Sequence, residues 1–110
     1  MSRQGFGWGW FQTKQPVLAG FDTTFQFRIT PGPVLAEGFA FIIQDAAAGT
    51  GFNFAQPWTL GYGSLPNSLA IEFDTFNDGF LNDTSNNELS VHTRGTLNND
   101  EDENFSIGRI

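Results

Sequence analysis

Glu72 and Asp74 stand two residues apart in the run Ser68-Leu-Ala-Ile-Glu-Phe-Asp-Thr-Phe76, and Asp78 and Asp83 follow in Asn77-Asp-Gly-Phe-Leu-Asn-Asp83. Alternate residues of an extended chain share a face about 6.8 Å apart, so the carboxylates of Glu72 and Asp74 project together. The Gly- and Asn-containing loop can fold Asp78 and Asp83 back towards them. Carboxylates gathered on one spot repel each other unless protons or a cation neutralise them. A metal site is therefore the first reading, and ordinary surface acids on a solvent-facing strand are the alternative. Other chemistry is poorly served. One His supports no Ser/His/acid set, and the absence of Cys excludes disulfides, thiolate catalysis and a Cys-type zinc site. Gly7 and Gly9 lie among tryptophans with no helix after them, so they form no phosphate loop.

The elements that must hold these acids read as strands. Leu69, Ile71, Phe73 and Thr75 alternate with Ala70, Glu72, Asp74 and Phe76, the period-two pattern of a strand. Phe21, Thr23, Phe25, Phe27 and Ile29 alternate with polar residues in the same way, and Pro31-Gly32-Pro33 stops that strand. Gly38–Gln44 is apolar on both sides, which predicts a central strand covered on both faces. Phe52 and Phe54, in a Gly/Ala loop, are placed to lie over a sheet edge, and Gly61-Tyr62-Gly63 reads as a turn. Glu88–Thr93 alternates with Leu89 and Val91 on one face and Glu88, Ser90 and His92 on the other, and Phe105–Ile110 begins a further strand. Short strands between Gly, Pro and Asn turns predict an all-β, antiparallel β-sandwich or jelly roll.

Composition limits partners more than it names them. The chain has 110 residues, one domain at most, and a formal charge of −7, which disfavours nucleic acid and anionic membrane surfaces. No apolar run approaches the roughly 18 residues of a membrane span, so no membrane insertion is expected. The run Asp100-Glu-Asp-Glu103 reads as a solvated loop. Thirteen Phe and three Trp suit a sandwich core, and some of those rings could stack on sugars. The start, Met1-Ser-Arg-Gln-Gly5, lacks the apolar stretch of a signal peptide. Of two sequons, at Asn82 and Asn104, the first is expected to be unused because a glycan there would crowd the acidic loop.

Five blocks in order resemble the L-type (legume-type) lectin domain. Gly20-Phe-Asp-Thr-Thr-Phe-Gln-Phe-Arg-Ile-Thr30 resembles its early sheet strand, and Ala36-Glu-Gly-Phe-Ala-Phe-Ile-Ile43 its Ala-Asp-Gly-aromatic-Ala-Phe strand. Leu60-Gly-Tyr-Gly63 resembles its glycine loop, and Ser68–Phe76 with Asp83 its metal strand and loop. Asn87-Glu-Leu-Ser-Val-His-Thr-Arg-Gly95 resembles the strand that follows. The resemblance implies a concanavalin-like sandwich. Because the family domain is longer, it also implies that residues 1–110 are a partial domain, lacking the first strands and the C-terminal portion. It implies a parent protein that is extracellular, and a glycan or glycoprotein as partner.

The resemblance further implies a calcium and a second divalent ion, usually manganese. Asp74 and Asp83 match the carboxylates bridging both ions, Glu72 matches a ligand of the second, and Phe76 supplies a carbonyl to calcium. Asp78 stands where the family has Asn. Glu88 stands where it has His, which weakens the second site or makes it another oxygen site. His92, on the same strand face, reads as a surface or hydrogen-bonded residue rather than a ligand. For the sugar, the resemblance implies Glu37 in place of an Asp that follows a cis peptide, a backbone N–H of Gly61 or Gly63, and Asp78. Asn77 can restore the donor that Asp78 lacks. Phe76 or Phe80 could stack on a pyranose. Two other functions remain open: a metal-binding, lectin-like domain that recognises protein or has lost sugar binding, and a jelly-roll glycoside hydrolase. The strand version of such an enzyme needs a third acid where this chain has Phe76 and Asn77.

Overall fold

The computed structural model describes residues 7–30, 32–33, 38–51, 59–77, 79–83 and 85–110. Four strands form one antiparallel sheet in chain order: β1 (Gly38–Gln44), β2 (Ser68–Asp74), β3 (Glu88–Thr93) and β4 (Ser106–Arg109). Among the described residues the helical turns are single 3-10 turns, so the expected all-β, antiparallel class is the one found. No helix among them is long and apolar enough to cross a membrane.

The register follows from the alternation. β1 pairs with β2 from Gly38 opposite Asp74 to Gln44 opposite Ser68, and β2 with β3 from Leu69 opposite Thr93 to Asp74 opposite Glu88. Period two then sorts every side chain. Phe39, Phe41, Ile43, Leu69, Ile71, Phe73, Leu89 and Val91 share one face; Ala70, Glu72, Asp74, Glu88, Ser90 and His92 share the other. Gly38 has φ +120°, and a Cβ on it would run into the carbonyl oxygen of Phe73. Only glycine tolerates both conditions. Gly38→Ala is expected to cost at least about 2 kcal/mol in urea unfolding. Gly108→Ala in β4, where a Cβ meets nothing within 4 Å, should stay within about 1 kcal/mol of the parent.

Two expectations are corrected. Phe21–Thr30 joins no ladder. Its Phe25 stacks on Phe41 at 5.4 Å, and its Phe27 meets Phe39 and Phe73 edge-on at 4.7 and 5.0 Å. The alternation is real, but it lays rings on the apolar sheet face instead of pairing the backbone with an edge. Gly38–Gln44 is an outer strand of the described sheet, half-buried, and not a central one. Apolar residues on both sides report two partly covered faces, which a strand with one hydrogen-bonded neighbour can also have. Phe52 and Phe54 lie outside the described residues.

The best-enclosed residues lie on the polar face. Tyr62, Leu65 and Ala70 are fully buried there, with Ser90 and His92. Two loops cover it. The turn through Gly61–Gly63 forms as expected, with Tyr62 N–H donating to the Thr59 carbonyl at 3.0 Å. Buried Asn99 binds the loops together: its N–H donates to the Leu65 carbonyl, its carbonyl accepts from Ser64 N–H, and its Nδ2 donates to Ser68 Oγ and the His92 carbonyl.

Candidate functional site

The same alternation that makes β2 a strand puts Glu72 and Asp74 on one face, as the spacing predicts. That face is covered rather than wet. Glu72 is 3% and Asp74 8% exposed, which rules out the reading of both as ordinary solvent-facing acids. Asp74 caps the end of its own strand, one oxygen accepting the Phe76 N–H at 2.7 Å. Glu88 faces Asp74 across the β2–β3 ladder. Asp83 is half-buried, and its charge reaches Glu72. Phe76 is half-buried, while Asn77 and Phe80 are exposed beside the acids. Glu37 and Asp78 lie outside the described residues.

Glu72 is held from above. The Tyr62 hydroxyl donates to one of its oxygens, and His92 Nε2 lies 3.8 Å from the same atom. Burial pushes the Glu72 carboxyl up to about 8, helped by the charges of Asp74, Glu103 and Asp83 and partly opposed by the Tyr62 hydrogen bond. Burial and the adjacent Glu72 also raise the Tyr62 phenol. His92 is fully buried and hydrogen-bonded, so of the two placements expected for it the surface one is corrected and the hydrogen-bonded one is found. Its Nδ1–H donates to the Asp100 carbonyl at 2.9 Å, and Nε2 stands 2.9 Å from Ser90 Oγ and 3.2 Å from Glu103 Oε1.

Glu103 corrects a further expectation, because part of the Asp100–Glu103 run is not a solvated loop. Asp102 caps a 3-10 turn, accepting from Asn104 N–H, and that turn carries Glu103 under the sheet to His92. Asp102 also accepts both hydrogen bonds from Asn82 Nδ2, at 2.9 and 3.0 Å, tying the loop after β2 to this run. Sequence reasoning missed Tyr62 and Glu103 as members of the cluster. The Asp-x-Asn of the cap was the available signal, but nothing local shows which way the turn faces.

Comparison with known proteins gives this face a context. The chain is 32% identical over 88 residues to a lectin-like protein of Arabidopsis thaliana, an alignment covering 74% of the chain and 32% of that relative. The relationship is lectin-like. The chain spans about a third of the length of the curated relative it matches. No family model matches the chain, and no solved structure matches it significantly.

The residues expected at a cation are brought together in part. Glu72, Asp74 and Glu88 share the buried face and Asp83 approaches it. Among the described residues, however, no three His, Asp or Glu side chains form a ready-made metal group. The donors at the Asp74 end are carboxylate oxygens, the hard ligands that a calcium-like ion takes. The glycines differ in role. Gly63 is buried, its N–H donates to the Thr59 carbonyl at 3.2 Å, and a Cβ there would strike Thr59 and Glu101. Gly61 is half-buried at φ +83° on the same turn.

Proposed function

We propose that this chain belongs to a non-enzymatic, calcium-dependent carbohydrate-binding module of L-type lectin kind, within a longer extracellular protein. The observation that carries the reading is the buried ladder of acids, Glu72 and Asp74 on β2 with Glu88 opposite Asp74, in a chain with a lectin-like relative. Asp74 and Asp83 would hold the calcium, with the Phe76 carbonyl and Asp78 as the resemblance implies. The ion's contribution is to neutralise the acids and fix the loop after β2. Glycan contacts fall to Asn77, Asp78, Gly61 and Glu37, with Phe76 or Phe80 as the stacking surface. Gly63 acts in this reading by holding the turn rather than by offering its N–H.

Glycan-array binding in millimolar calcium, repeated in EDTA, tests the reading. Binding is expected to disappear in EDTA, and Asp74→Asn is expected to weaken calcium binding at least about tenfold while its amide oxygen still accepts the Phe76 N–H. Glycan binding unchanged by EDTA and by Asp74→Asn would remove the calcium from the proposal.

A further inference from the structure

Arg109 is the basic side chain that reaches the buried acids from β4. It stands opposite Ser90 in the β3–β4 register, on the face of Glu88 and His92, and the register shift at Val91/His92 adjoins it. Such irregularities re-aim side chains. Its Nη1 lies 3.7 Å from Glu88 Oε1 and 3.6 Å from Glu103 Oε2. The two glutamate side chains are 7% and 3% exposed, whereas Arg109 is 46% exposed, so its guanidinium reaches in from solvent to two enclosed carboxylates. Glu103 Oε2 accepts no hydrogen bond, which leaves this charge as its compensation. The other Glu103 oxygen faces His92.

We infer that Arg109 is the resident counter-cation of the Glu88–Glu103 end of this face, so that a divalent ion enters only at the Asp74 end. The inference rests on the calcium reading above and adds its stoichiometry. A guanidinium cannot lose its proton under ordinary conditions and is tethered to the sheet, so it is present at that end whatever the solution holds. A second divalent ion at Glu88 would have to displace it or sit beside it, and like charges at that range repel. Glu88 is therefore occupied by a protein cation rather than waiting for a metal.

The test counts ions bound per chain, by equilibrium dialysis and elemental analysis in saturating calcium and manganese chlorides. One ion is expected for the wild-type chain and two for Arg109→Gln. Arg109→Lys, which keeps the charge but loses the planar fork, should remain at one, a result that a purely structural role for Arg109 would not produce together with the gain in the glutamine variant. Two ions in the wild type, or one in both wild type and Arg109→Gln, would overturn the counter-cation role and leave the calcium reading intact. No ion in the wild type would overturn both. If Arg109→Gln does not fold, the wild type and Arg109→Lys decide: one ion in each supports the inference, and two in either overturns it.

Discussion

In calcium-free buffer the chain is expected to be less stable at pH 8 than at pH 5, by on the order of 4 kcal/mol at most. The source is Glu72, whose carboxyl is pushed from 4.5 up to about 8 chiefly by burial. Between those two values the folded chain keeps a proton that the unfolded chain has released. Raising the pH across that window therefore favours unfolding, with a limiting slope of about 1.4 kcal/mol per pH unit. Glu101, also raised mainly by burial, acts in the same direction. Glu72→Gln keeps the buried shape without the charge, so it should flatten most of the profile and melt above the wild type at pH 8. Thermal melts of both proteins from pH 5 to pH 8 in EDTA make the comparison. An equal slope in the two would show that Glu72 is not the group. Calcium should flatten the wild-type profile as well, because a cation beside the ionised carboxylates replaces the proton.

The contrast between what the sequence discloses and what it hides runs along chain distance. β2 and β3 were legible because their alternation is local: Leu69, Ile71 and Phe73 against Glu72 and Asp74, Leu89 and Val91 against Glu88, Ser90 and His92. The pairing of Asp74 with Glu88 then follows from register. Which face is enclosed was not legible. Alternation separates two faces without saying which is covered, and the cover over the acids is built by loop residues with no periodicity. Asn99 reaches Ser68 across 31 positions and Thr93 reaches it across 25. Glu103 shows the same limit, since four acids in a row read as solvated unless the turn capped by Asp102 is seen to aim one of them inward. Phe21–Thr30 failed differently. Its period-two pattern puts Phe25 and Phe27 against the rings of Phe41, Phe39 and Phe73, yet both stay exposed, and side-chain periodicity cannot say whether a backbone finds a ladder partner. Glu37 and Asp78, to which the proposed function assigns sugar contacts, lie outside the described residues.

His92→Leu is expected to be severely damaging, costing about 3–5 kcal/mol. Leucine fills much of the same space, so the loss comes from polar groups stranded in a dry place rather than from a cavity. Ser90 Oγ, the Asp100 carbonyl and Glu103 Oε1 all lie within hydrogen-bond reach of the ring, and His92 itself is fully buried. Each stranded group costs about 1–3 kcal/mol. Domains of this size are commonly stable by only about 5–15 kcal/mol, so the variant should melt at a much lower temperature or lose its cooperative transition. Glu103→Gln is the matched control. It removes the charge but leaves an amide oxygen and an NH2 for His92 and its surroundings, and should cost about 1 kcal/mol. If both variants lose the same stability in urea, the damage comes from the Glu103 charge. If only His92→Leu is severe, the ring is the joint that holds the C-terminal turn, β3 and the Glu72 carboxylate together.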